Sequence, residues 1–154
     1  MPAQVRHKEF RFPVEIDWDG GRRTIARVDG KPPLALATPP EFRGTDPALW
    51  SPEDAFVASA GACLAVTIVA LAERQQVTLR RLSVSAEGVA GRRSDGRFGF
   101  VRIEQTVRVD VDAADELAAR ALIERAEQGC LVSVSLDLPV TTCVHVHTGV
   151  APVS

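Results

Sequence analysis

The sequence predicts an α+β protein in which helices pack on antiparallel sheets, not a doubly wound parallel sheet. Three observations carry this reading. The strand-like segments at the front are separated by Asp-Gly and Gly-Gly turns, which suit hairpins and leave no room for crossover helices. One apolar stretch, Ser51 to Gln76, is far too long for a strand. No glycine-rich loop follows a strand, so no nucleotide phosphate site is expected. The element order reads βββ, α, ββ, α, a short ambiguous apolar run, and β.

The 154 residues, 45% hydrophobic and 25% charged, suit one globular domain spanning 1–154. Val5 to Trp18 reads as extended structure bent at Pro13, with Val14, Ile16 and Trp18 alternating against Glu15 and Asp17. Asp19-Gly20-Gly21 is a turn, Arg22 to Val28 a second strand, Asp29-Gly30 another turn, and Leu34-Ala35-Leu36-Ala37 a third strand. Thr38 to Trp50, with three prolines, is a connecting loop of the size that often borders a functional cleft.

The central element is a long helix, about Pro52 to Gln76. Ser51 is a capping residue, Pro52 suits the first helical position, and Glu53 and Asp54 place negative charge at the positive end of the helix dipole. From Ala55 to Ala72 the helix is apolar or small nearly all round, which predicts burial on every side. Its uncharged length only just reaches a membrane span, and many of its residues are small, so a core helix is the expected role. Ala58, Ser59, Ala60, Gly61 and Ala62 would let a second helix approach closely, and a subunit interface is one use of that.

After the helix, Leu82 to Glu87 and Val101 to Val111 alternate as strands, and Gly88 to Gly99 reads as an exposed hairpin tip. Arg92, Arg93 and Arg97 there are read as a solvated tip, with an anion patch as the alternative. A second helix, about Ala114 to Gln128, carries Leu117, Ala121 and Leu122 on one face and stops at Gly129. Cys130 opens an apolar run closed by Pro139. Val140 to Val146 is the last strand, and Gly149 to Ser154 a tail.

A net charge of −2 gives no reason to expect nucleic acid or an anionic membrane as partner. The opening residues lack a secretory apolar run, so a cytoplasmic location is expected. Three cysteines in that reducing setting are reagents or core fillers and do not form a disulfide framework. Cys63 and Cys130 have no CxxC-type partner, which disfavours zinc.

A thiol inside an apolar helix becomes a useful nucleophile only as thiolate, and burial opposes that, so Cys63 is expected to need a cation. Arg22 and Arg23 after the Gly-Gly turn, and Arg43 in the long loop, are the candidates, with Glu53 or Asp54 holding the guanidinium. Glu53 and Cys63 lie ten residues apart, about 15 Å along a helix, too far for one arginine fork to touch both within one chain. In a two-fold homodimer, Glu53 of one chain would approach Cys63 of the other.

Pro52-Glu53 followed by Cys63, with a second cysteine in Gln128-Gly129-Cys130-Leu131-Val132-Ser133, resembles the OsmC/Ohr family of hydroperoxide-reducing proteins. The front strands, the Pro-rich loop and the strand after Pro139 follow the same order. The resemblance implies antiparallel sheets around a long central helix in an intertwined homodimer, with both cysteines at the subunit interface. It implies a thiol-dependent peroxidase acting on organic hydroperoxides: Cys63 peroxidatic, Cys130 resolving by a Cys63–Cys130 disulfide, Glu53 the family's glutamate, and Arg22 or Arg23 its arginine. A dithiol, such as a lipoyl group, would restore the enzyme, with no metal or flavin cofactor. Where the family commonly has Cys-Pro-Val-Ser-Arg, this chain has Cys130-Leu131-Val132-Ser133-Val134.

Two alternatives stand beside it. Cys143, His145 and His147 alternate on one strand face, a pattern that suits a metal-binding protein. A redox sensor or apolar-ligand carrier built on the same fold would oxidise without turnover.

Overall fold

The computed structural model describes residues 8–149, which form two compact units, one running to Pro52 and one from Glu53 on. The first is a three-stranded antiparallel sheet in the order β1 (Glu15–Trp18), β2 (Arg23–Arg27), β3 (Leu34–Ala37). The expected front strand is shorter at its start: Glu9 to Val14 carries no strand, and Val5 to His7 lies outside the described residues. Gly20 and Gly21 at φ 86° and 55° make the first hairpin turn, which Asp19 N–H closes on the Arg23 carbonyl at 3.0 Å. A 3-10 turn, Pro40–Phe42, and a bridge from Trp50 to Leu36 organise the long loop.

The second unit is led by α1 (Pro52–Gln75), then β4 (Leu79–Arg92), β5 (Phe98–Val111), α2 (Glu116–Gly129), a single turn α3 (Leu131–Val134), and β6 (Val140–His147). Its sheet runs β4-β5-β6, with β4–β5 antiparallel and β5–β6 parallel. The parallel pair is what α2 and α3 make possible, because they supply the crossover that such a pair requires.

The core lies between this sheet and the helices. Alternation along β5 buries Ile103, Gln105, Val107, Val109 and Val111 on one face, and the last three pack in one cluster with Leu64, Ile68 and Ala72 of α1 and Leu122, Ile123 and Ala126 of α2. Three expectations are corrected here. The β4–β5 hairpin reaches far past Glu87, so its tip is only the turn between Arg92 and Phe98. Its internal glycines belong to the strands: a Cβ at Gly88 would collide with Val57 of α1 and Phe100 of β5. The buried face of α2 is Ala119, Leu122, Ile123 and Ala126, whereas Leu117 is 83% exposed and Ala121 also faces outward. Finally, α1 is not buried on every side. Ala60, Gly61, Leu64, Ile68 and Ala72 form one buried stripe, while Val66 and Val69 are exposed. Gly61 faces the sheet, where a Cβ would meet Ala86 and Val84 at 3.4 and 3.7 Å, ordinary contact distances. By length and composition alone α1 could cross a bilayer.

Candidate functional site

Cys63 sits two turns into the apolar part of α1, on the flank of its buried stripe, half-buried against the core. Cys130 is fully buried, in the extended joint (φ −69°, ψ 108°) between the end of α2 and the single turn of α3. Although 67 residues separate them in sequence, the Cys130 side chain is a hydrogen-bond partner of the Cys63 sulfur. The fold does this by ending α2 at Gly129 and turning the chain back over α1.

The same joint sets the electrostatics. Desolvation is the largest influence on the Cys63 thiol and pushes its pKa up. The backbone N–H of Val132, the Cys130 thiol, the N–H of Leu131 and the Thr67 hydroxyl all favour the thiolate, and together they bring the pKa below the ordinary thiol value. The amides are available because they open α3: its first backbone bond is Val134 N–H to the Cys130 carbonyl, so the amides before it have no helical acceptor. Thr67 has one hydroxyl hydrogen, which donates to the Cys63 carbonyl at 2.7 Å, so it serves the sulfur only as an alternative. This corrects the expectation that a cation must lower the pKa: hydrogen-bond donors within the second unit do so. Thr67, one helical turn after Cys63, was open to discovery from the i, i+4 spacing. The Leu131 and Val132 amides were not, since they depend on a helix that the apolar run did not reveal.

The remaining candidates are placed as follows. Glu53, in the first turn of α1, has Oε2 buried with no hydrogen-bond partner among the described residues. Arg22 donates through one nitrogen to the carbonyls of Phe42 (2.9 Å) and Arg43 (3.2 Å). Arg23 faces Asp46 at 4.0 Å. Arg43 itself has φ 64° at the end of the 3-10 turn. The hairpin arginines are engaged by their own surroundings: Arg92 by the Gly96 carbonyl, Arg93 by the Phe100 and Asp137 carbonyls, and Arg97 by Asp95. That supports a hairpin clamp over an anion patch.

Cys143, His145 and His147 lie exposed on one face of β6, with Cys143 Sγ 3.5 Å from His145 Nε2. Among the described residues no three His, Cys, Asp or Glu side chains are arranged to hold an ion. The physical reason corrects the three-ligand metal reading: four residues of strand span about 13 Å, beyond what a short cysteine and a histidine can close around one ion.

A long helix bearing one cysteine over a sheet, with a second cysteine brought to it from a helix joint, defines a dithiol α+β protein. The chain belongs to the OsmC-like protein family, whose sequence profile matches residues 44–144. Among its relatives, the uncharacterized protein YmaD of Bacillus subtilis (strain 168) is 22% identical over 134 residues, covering 84% of this chain and 88% of that protein. An OsmC-like protein of unknown function from Vibrio cholerae matches the fold with a TM-score of 0.81 at 17% identity, over 89% of this chain and all (100%) of that one. An organic hydroperoxide resistance protein from Elizabethkingia anophelis matches with a TM-score of 0.71 at 21% identity, over 92% of this chain and 100% of its own. The fold is therefore OsmC-like, as the resemblance implied.

Proposed function

We propose that the protein is a cysteine-based peroxidase that reduces organic hydroperoxides. The observation that carries this is the contact of Cys63 with the Cys130 side chain in a ring of donors that favours its thiolate. The Cys63 thiolate attacks one oxygen of RO–OH: the S–O bond forms, the O–O bond breaks, and the alkoxide leaves with a proton as ROH. Cys63 is then a sulfenic acid, and the Cys130 sulfur attacks it, forming the Cys63–Cys130 disulfide and releasing water. A dithiol, of which a lipoyl group is one, restores both thiols by two exchange steps.

The working form in this proposal is a cytoplasmic homodimer, with α1 as a core and interface helix. Two features favour assembly. The buried Glu53 Oε2 needs a donor, and apolar side chains on α1 and α3, among them Val66, Leu131 and Val134, are exposed in the single chain. For the donor we favour Arg22 over Arg23, because Arg23 already faces a carboxylate at Asp46, whereas Arg22 is oriented by hydrogen bonds to the neutral carbonyls of Phe42 and Arg43.

The test is turnover of tert-butyl hydroperoxide with dihydrolipoamide. Wild type should cycle, Cys63→Ser should be inactive, and Cys130→Ser should react once and stall. Turnover by Cys63→Ser would end this reading. Stoichiometric oxidation of wild type without recycling by any dithiol would move the assignment to a redox sensor.

A further inference from the structure

The second sheet carries another thiol, outside the proposed reaction. Strand alternation places Cys143, His145 and His147 on the side of the sheet away from α1, and all three are exposed. The sulfur of Cys143 and Nε2 of His145 are within hydrogen-bond reach at 3.5 Å. A nucleophile with a base this close is the arrangement that activates thiols elsewhere. The parallel register sets Thr106 of β5 beside Cys143, Arg108 beside His145, and Asp110 beside His147.

The charges around the pair are not all satisfied. On this face Arg102 is held by Glu104 at 2.6 Å, and Arg81 of β4 faces Asp110 at 3.9 Å. Arg108 makes no ion pair or hydrogen bond among the described residues. An unpaired guanidinium beside a thiol and its base is a docking charge for an anionic reactant. Two ligands from one exposed strand would leave a bound ion half uncoordinated, so an electrophile with a negative group fits the site better than a metal.

We propose that Cys143 and His145 form a second thiol centre, at which small anionic disulfides are exchanged onto the surface of the protein. As Sγ of Cys143 attacks one sulfur of RS–SR, its proton passes to Nε2 of His145. The new S–S bond forms as the old one breaks, and the departing RS⁻ takes the proton from the imidazole. Cys143 is oxidised to a mixed disulfide, and half of the small disulfide is reduced to a thiol, so no further oxidant is needed. Arg108 holds the carboxylates of the incoming disulfide. The step is independent of the Cys63–Cys130 chemistry and stands or falls separately.

The experiment uses Cys63→Ser/Cys130→Ser, in which Cys143 is the only thiol left of three. Oxidised glutathione, which is anionic, and cystamine, which is cationic, are the probes, and intact mass reports the adduct. The folded protein should gain one glutathionyl group at a rate about threefold or more above that of the same protein in urea, and His145→Gln should return it to the unfolded rate. Arg108→Gln should slow oxidised glutathione by about twofold while leaving cystamine unslowed, and the difference should fade in high salt. Peptide mapping of the wild-type chain should find the adduct at Cys143, so that poor folding of the double variant does not decide the matter. Equal rates folded and unfolded, no effect of His145→Gln, or stoichiometric zinc retained through this pair would each overturn the proposal.

Discussion

The two three-stranded sheets are read from equally clear strand signals, yet they end in opposite states. The second is covered: every inward residue of β5 from Ile103 to Val111 is at most 3% exposed, because α1 and α2 lie over it. The first has almost no core. Leu36 and Ala37 are its only buried apolar strand residues, while Ile16 (59%) and Trp18 (76%) are exposed, as are Phe10, Phe12 and Trp50 around them. A sheet of three short strands does not hold by its ladder alone and needs something on its apolar face. Local chemistry, the positive-φ glycines and the register, shapes the first unit, but its stability has to come from whatever covers it. In the homodimer we propose, a second copy supplies that cover.

Ile16→Asp tests this most sharply and carries the largest expected effect. On a bare surface the change would move stability by no more than about 0.5 kcal/mol. Under a partner it strands a carboxylate in an apolar interface, at a cost of several kcal/mol. We expect sedimentation to show loss of the dimer and peroxidase turnover to fall about tenfold or more. Thr106→Asp, on the outer face of the second sheet, should be nearly silent. A silent Ile16→Asp would mean that the first sheet works uncovered.

The second unit should instead behave as a self-sufficient core. Ile123→Ala removes a side chain of 0% exposure from the centre of α2, and we expect a loss of about 3 kcal/mol in urea denaturation. Within the proposed dimer this loss should depend little on protein concentration, whereas the Ile16→Asp defect should ease as concentration rises.

Leu131→Pro probes the site without touching either sheet. Proline fits here: Leu131 is the first residue of α3, and Cys130 at ψ 108° already has the extended backbone that precedes proline. The change deletes one amide donor to Cys63. Iodoacetamide labelling of Cys63 near neutral pH should slow by about tenfold or less, an amount set by the loss of one hydrogen bond to an ion. The linkage sign follows from the lowered pKa. The folded protein sheds the Cys63 proton at a lower pH than the unfolded chain, so stability rises as pH climbs through the folded pKa and levels off above the ordinary thiol value of about 8.5. It is lost as pH falls through the folded pKa. Leu131→Pro should flatten that rise in reduced protein, and an unchanged slope would show that the Leu131 amide does not hold the thiolate.

What the sequence revealed and what it hid divide along the same line as the two sheets. The bounds of α1 and β3 were legible because caps and alternation are local signals, and a paired motif singled out Cys63 and Cys130, whose chemical role is the proposal above. The exposed flank of α1 was misread as buried, because an all-apolar run does not say which of its faces meets the core. Leu117 was misassigned because five residues turn a helix by about 140°, so Leu117 cannot share the face of Leu122, which Ala119, Ile123 and Ala126 complete. Two of the groups that favour the Cys63 thiolate are backbone amides of a four-residue turn, those of Leu131 and Val132, and no side-chain pattern announces a backbone amide.

The smallest expected effect concerns the end of α1, where local rules were read almost correctly. The helix stops at Gln75, and Gln76 takes a left-handed conformation at φ 56°. Gln76 N–H bonds the Glu73 carbonyl at 3.3 Å, and Val77 N–H reaches back to Ala72 at 3.0 Å, with Val77 and Ala72 both buried. These are the paired bonds and apolar contact of a Schellman stop, which commonly places glycine where Gln76 stands. A glutamine there carries left-handed strain of about 1 kcal/mol. Glycine removes it but adds freedom to the unfolded chain. We therefore expect Gln76→Gly to raise stability by less than about 1 kcal/mol, read as a small increase in the urea midpoint with unchanged slope. The joint lies inside the self-sufficient unit, so the gain should be the same at every protein concentration; a gain that grows on dilution would tie even this helix end to the partner.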